Sequence, residues 1–260
     1  LLETFHTYIS SFKQERLIRV YLPKSYSTEK KSYPVLYMHD GQNVFQDVEA
    51  IGGKSLDLEH YLDKKELDLI LVAVDQNPEA RIDEYCPWVS GEYSKSILGK
   101  DSPEGGKGMH YVDFIVSELK PLIDSKYRTI RDQTAMAGIS LGGLISVYAM
   151  CRYPHIFKHI AVLSSAFYRN QEEIMKLIEQ TDLSLVESVY MDCGSKEAGA
   201  DTEVSQKFLA SNQMVYELLK DKISNTQFEI VDEAEHNYSY FKERVPSVFR
   251  FLTSKDFSGN

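Results

Sequence analysis

The 260-residue chain is poor in the features that mark specialised classes of protein. It has three cysteines, Cys86, Cys151 and Cys193. So small and uneven a set is no disulfide framework, and none stands in the C-x-x-C or C-x-x-H spacing that would hold zinc. They are expected to be buried or half-buried thiols of a reducing compartment. No apolar run approaches the roughly 18 residues needed to span a bilayer, so no membrane partner is expected. No basic stretch followed by an apolar one opens residues 1–10, and from Leu1 onward the chain reads as cytoplasmic. Basic residues are outnumbered, 29 to 39, for a formal net charge of −10. That balance argues against a nucleic-acid-binding face, although an acidic protein can still carry a locally basic pocket. Internal repeats and Gly/Ser/Pro-rich linkers are missing too. Length alone would allow two domains, but this continuity reads as a single α/β domain over 1–260. Such a chain buries a large core without disulfides or a structural metal.

What is present is a succession of short apolar runs. Residues 4–12 and 16–22 alternate in part and read as an antiparallel hairpin turning at 13–15. The runs at 34–38, 69–74, 134–137, 160–163, 189–191 and 228–231 are continuous and end in polar loops, the pattern of strands covered on both faces. Helix-length segments lie between them, at about 107–124 with Pro121 kinking it or starting a new turn, and at 144–153, 171–179, 203–222 and from about 237 to 252. Strands alternating with helices predict a mostly parallel, twisted sheet with antiparallel N-terminal strands and helices on both faces. Residues 76–107 are expected to form a long, aromatic-bearing loop, a length unusual unless functional.

The strongest local signal is G-x-S-x-G at Gly138, Ser140 and Gly142. It follows an apolar strand and opens a helix, the context of a nucleophile elbow. A serine on so sharp a turn needs small neighbours two residues to either side, and the helix aims its first N–H groups at the site. In that arrangement the nucleophile is followed in chain order by an acid and then a histidine. Of the seven histidines, His155, His159 and His236 follow Ser140. The first two come too early, whereas His236 lies between the last apolar strand and the C-terminal helix. The acid should follow the strand near 188–191. Asp192, Glu197 and Asp201 are the candidates, and Glu197, just past the Gly194-Ser195 turn, has the reach. The oxyanion donors are expected to be the N–H of Leu141 and the N–H of Gln42, in the loop His39-Asp40-Gly41-Gln42-Asn43, where Gly41 permits an unusual backbone angle.

These segments carry a resemblance. His39-Asp40-Gly41-Gln42-Asn43, Glu84-Tyr85-Cys86-Pro87-Trp88, Tyr127-Arg128-Thr129, the serine elbow, Asp192-Cys193-Gly194-Ser195-Lys196-Glu197 and Glu235-His236-Asn237 together resemble the esterase family that groups enterochelin-esterase-like and esterase-D-like hydrolases with feruloyl and acetyl-xylan esterases. The likeness runs from about residue 15 to 252. It implies the α/β-hydrolase fold, places the acid at Glu197 (where many relatives have Asp), and sets Tyr85 and Trp88 beside the site as packing anchors or substrate contacts. The expected activity is that of a serine esterase, a carboxylic-ester hydrolase that works through an acyl-enzyme with no metal or organic cofactor. Its expected partner is a small-molecule ester with a short or medium acyl group, neutral or aromatic. A siderophore trilactone esterase, an acyltransferase, or a binding protein that keeps the fold without turnover are the alternatives. Oligomeric state is not legible.

Overall fold

Alternating polar and apolar positions at the N-terminus fold as a hairpin in the computed structural model, which describes residues 1–254. Strand β1 (Leu2–Ile9) pairs antiparallel with β2 (Gln14–Tyr21), with Leu2 opposite Tyr21 and Ile9 opposite Gln14. The turn falls at 10–13, earlier than the alternation implied, because Lys13 takes a left-handed φ of 54°.

The continuous apolar runs become the strands β3 (Tyr33–Met38), β4 (Ile70–Val74), β5 (Thr129–Ile139), β6 (His159–Leu163) and β7 (Ser188–Gly194), each buried along its apolar run, and the edge strand β8 (Thr226–Val231), which is half-exposed. The eight strands form one sheet in the order β1-β2-β4-β3-β5-β6-β7-β8. β1, β2 and β4 pair antiparallel, and every pair from β4 through β8 is parallel. This is the α/β-hydrolase fold. β5 is longer than its apolar run because its polar first half, 129–133, also pairs at the sheet's entry edge, with Thr129 opposite Tyr33.

Strand residues alternate between two cores. Val35, Tyr37, Val72, Met136 and Val162 pack under helices α4 (Gly108–Phe114), α6 (Leu141–Arg152), α7 (Gln171–Gln180) and α8 (Thr202–Lys220). Leu36, Met38, Leu71, Ala137 and Leu163 pack against α1 (Leu58–Lys65) and α9 (Tyr238–Thr253) on the opposite face. Cys86, Cys151 and Cys193 are free and buried. Among the described residues no helix is long and apolar enough to cross a membrane.

One further expectation is corrected. Residues 76–107 are not a bare loop: they contain α2 (Arg81–Tyr85) and α3 (Glu92–Leu98), five and seven residues long and too short to show a helical apolar period. The helix beginning at Gly108 is interrupted by a π-helical stretch, Ile115–Leu119, before α5 (Lys120–Lys126) carries Pro121 in its first turn. A proline there has no N–H to give to the preceding turn, and the wider π turn accommodates the loss.

The chain leaves β3 for β4 on one side and returns to β5 on the other. The carboxyl ends of β3 and β5 therefore lie side by side, with Met38 opposite Ala137. In open α/β sheets such a reversal of strand order makes the crevice where ligands bind.

Candidate active site

At the end of β5 the chain turns sharply into α6, and Ser140 sits at the apex with φ 59° and ψ −121°. A non-glycine residue rarely adopts this conformation, which costs on the order of 1–3 kcal/mol unless its surroundings enforce it. Here they do: the Ser140 N–H donates to Leu163 O at 3.0 Å, and Ser140 O accepts from Gly143 N–H at 3.0 Å and Ala166 N–H at 2.9 Å. The turn closes only because Gly138 lacks a side chain; a Cβ there would lie 2.1 Å from Gly142 O. Gly138→Ala is accordingly expected to destabilise the fold by about 3 kcal/mol, the upper range for overpacking, since the colliding atom is backbone. Urea denaturation checks this, and an unchanged midpoint would contradict it.

The loop after β3 closes against the same turn. Asp40 takes the left-handed conformation, φ 56°, and not Gly41 as expected. Gly41 is required for space instead: its Cβ would stand 2.4 Å from Asp75 Oδ1 and 2.9 Å from Asp75 N. The Asp40 carboxylate is held by Arg81 through two bonds, Nε–Oδ1 2.7 Å and Nη2–Oδ2 2.8 Å. His39 is buried, with Nδ1 2.9 Å from Tyr111 Oη and Nε2 3.1 Å from Ser146 Oγ. Because Ser146 Oγ donates to Gly142 O, it accepts from His39 Nε2–H, and the Tyr111 hydroxyl then donates to Nδ1. Burial lowers the His39 pKa to about 4, so the ring is a neutral brace between this loop and α6.

The Gln42 side chain is clamped to the backbone of Gln76, donating to its O and accepting from its N–H, each at 2.9 Å. That clamp ties the loop after β3 to the chain just past β4. Among the described residues neither the Gln42 nor the Leu141 N–H donates to a turn or side-chain acceptor. Leu141 N–H belongs to the first turn of α6, where an N–H has no partner inside the helix.

His236 lies between β8 and α9, half-buried, with its ring edge-on to Phe208 and Phe241 at centroid distances of 5.4 and 5.1 Å. Asn237 caps α9 by accepting from Ser239 N–H at 3.1 Å, which fixes where the loop ends. The acid-bearing loop is tied to it: Ser195 N–H donates to Val231 O at 2.9 Å and Lys196 N–H to Ala234 O at 3.0 Å. These bonds bring Glu197 under the histidine, with Oε2 2.5 Å from His236 Nδ1. Burial pushes the Glu197 pKa up. The hydrogen bond and charge of His236, and donors from Ser164 and the Gly194 N–H, outweigh burial and leave the pKa lowered. An ionised Glu197 accepts the Nδ1 proton, so the lone pair of His236 is on Nε2.

The other two carboxylates are elsewhere. Asp192 is buried, accepts from Arg244 Nη1 at 3.0 Å, and is pushed up to a pKa of about 6 by burial, against the pull of Arg244. Asp201 caps α8 by accepting from Val204 N–H at 3.0 Å.

Ser140 and His236 line one cleft of about 340 Å³ together with Asn43, Gln76, Arg81, Tyr238 and Phe241. Tyr85 and Trp88, expected as packing anchors or substrate contacts, do not line it. Tyr85 is fully buried, with its hydroxyl accepting from Asp40 N–H at 3.1 Å and its ring packed on His39 and Tyr111. Trp88 packs edge-on against Tyr148 and lines a separate depression with Asn170 and Glu172. Both anchor the 76–107 segment. Asn43, Gln76, Tyr238 and Phe241 in the cleft, and Ser164 and Arg244 beside Glu197, had not been singled out for the site. Asn43 and Tyr238 bond each other at 2.9 Å across the cleft. The signal for Arg244 was there to read, since it falls between Phe241 and Val245 on the core face of an amphipathic helix, where an arginine demands a buried partner.

A family model described as "Putative esterase" matches residues 9–252. The chain is 30% identical over 248 residues to the uncharacterized protein YbbA of Bacillus subtilis, covering 93% of this chain and 94% of that one. In structure it resembles an IroE-like serine hydrolase from Shewanella oneidensis, with a TM-score of 0.78 at 19% identity over 100% of this chain and 82% of the other. It also resembles the siderophore hydrolase EstA from Aspergillus nidulans, with a TM-score of 0.77 at 17% identity over 98% and 95%. The chain belongs to this esterase family.

Proposed function

We propose that the chain is a serine carboxylic-ester hydrolase and acts as one catalytic domain. Ser140 attacks the ester carbonyl while His236 Nε2 takes its proton and then returns one to the leaving alkoxide. Glu197 holds the imidazole tautomer and stabilises the imidazolium. The N–H groups of Gln42 and Leu141 receive the developing oxyanion. Water, activated by the same histidine, releases the acid from the acyl-enzyme. The observation that carries this reading is the meeting of a strained Ser140 and a His236–Glu197 pair at a single cleft. Turnover of p-nitrophenyl acetate by the protein, lost in Ser140→Ala, tests it; a fold kept only for binding would give no turnover.

The cleft favours a short or medium acyl ester, neutral or aromatic, over a ferric siderophore. A ferric catecholate carries several negative charges and calls for free Arg or Lys side chains at the mouth. Arg81 is the one arginine or lysine among the cleft-lining residues, and both of its bonds go to Asp40. Lys95 and Lys107 pair with Asp101 and Asp83. The expected result is a higher kcat/KM for p-nitrophenyl acetate or butyrate, or a feruloyl ester, than for a catecholate trilactone with or without iron. A trilactone value about 100-fold above the simple esters would reverse the assignment. An added alcohol that captures the acyl group faster than water does would make the protein an acyltransferase.

A further inference from the structure

Beneath Glu197 lies a buried polar cluster that the hydrolytic reading leaves unused. Arg244 extends from α9 into the sheet's carboxyl edge and is 4% exposed. Its Nη1 donates to Ser164 Oγ at 2.7 Å and to Asp192 Oδ1 at 3.0 Å. Ser164 is fully buried just after β6, held at φ 43°. Its hydroxyl donates to Glu197 Oε1 at 2.5 Å, and the Gly194 N–H donates to the same oxygen. Arg244 Nη2 stands 3.9 Å from that oxygen as well.

The chemistry of the groups gives this chain one direction. A guanidinium only donates, and a serine hydroxyl has a single proton. With Arg244 occupying a lone pair of Ser164 Oγ, the hydroxyl proton is directed to Glu197. Oε1 is then saturated by donors, a proton on it would meet them head-on, and Oε2 is the oxygen left for His236 Nδ1.

We propose that Arg244 and Ser164 are positioning residues for the reaction: they lock Glu197 as a carboxylate that presents Oε2 to His236. Asp192, level with Leu163 across the β6–β7 pairing, balances the Arg244 charge. The proposal rests on the Ser140–His236–Glu197 reading.

The test is a set of variants assayed on p-nitrophenyl acetate, each checked for native circular dichroism and melting temperature. Ser164→Ala removes the donor at nearly constant volume. It is expected to lower kcat by about 10- to 100-fold, the worth of a hydrogen bond to a charged group, with KM within about twofold. Ser164→Gly, which relieves the φ of 43°, should give the same loss and serves if alanine does not fold. Arg244→Met should lose as much and Arg244→Lys recover most of it. The decisive readout is coupling: in a Glu197→Gln background, Ser164→Ala should cost less than about threefold more, because its effect passes through that carboxylate. A folded Ser164 variant that keeps kcat within about threefold of the parent, or a loss that adds in full to that of Glu197→Gln, overturns the proposal. Ser140→Ala, run alongside, separates the two readings: turnover retained there overturns the serine mechanism and this proposal together, whereas turnover lost there with an active Ser164→Ala overturns the positioning role alone.

Discussion

Replacing Ser140 with alanine is expected to lower kcat for ester hydrolysis by on the order of 10⁴ to 10⁶, with the fold intact. The size follows from the role: without the hydroxyl no acyl-enzyme forms, and only the oxyanion donors and the cleft's binding contribution remain. The innocence toward the fold follows from the geometry. Alanine keeps the Cβ that already tolerates φ 59°, and the bonds that enforce the elbow come from the Ser140 N–H and C=O, which alanine retains. The expected result is therefore a melting temperature close to the parent's beside near-complete loss of turnover. Substantial turnover by a folded Ser140→Ala protein would mean that another group attacks the ester.

His236→Ala should be nearly as damaging, and the double variant with Ser140→Ala little worse than either, because nucleophile and base act as a unit. Glu197→Gln is expected to cost on the order of 10⁴ in kcat. An amide at that position can turn its NH₂ toward Nδ1, which moves the imidazole proton to Nε2 and removes the base. Asp192→Asn and Asp201→Asn should harm activity far less, since Asp192 faces Arg244 and Asp201 caps a helix. Asp201→Asn keeps a capping oxygen and should change stability little, whereas Asp192→Asn leaves a buried arginine without its counter-charge and should cost about 3–5 kcal/mol. Kinetics and thermal melts on the three carboxylate variants separate these effects. An Asp192→Asn protein that folds normally yet is more impaired than Glu197→Gln would move the acid to Asp192.

How much of this was legible depended on the kind of signal. The sheet was, because strands covered on both faces must be apolar along their length, and those runs punctuate the chain. The elbow was, because the turn at Ser140 leaves no room for a Cβ at 138. Glu197 could be placed near His236 from chain order and reach, but the tie between their loops, Lys196 N–H to Ala234 O, is a tertiary bond with no local mark. Tyr85 illustrates the opposite case. Its place in the Glu84–Trp88 segment suggested contact with substrate or packing, and the fold decided for packing by covering its ring with His39 and Tyr111. The short helices α1, α2 and α3 were missed for want of length. Even so, Leu58, Tyr61 and Leu62 in α1 hold the i, i+3, i+4 spacing that could have revealed it. The pairing of Arg81 with Asp40 has no local mark either, because it spans 41 residues of sequence.

The central claim is that an acyl group is carried by Ser140, with His236 making that serine reactive. Its most direct test is to treat the protein with a fluorophosphonate probe, digest it and locate the adduct by mass spectrometry. A single stoichiometric adduct on the peptide containing Ser140 is the predicted result, absent in Ser140→Ala and strongly slowed in His236→Ala. An adduct on a different residue, or labelling that persists in the Ser140→Ala protein, would contradict the account.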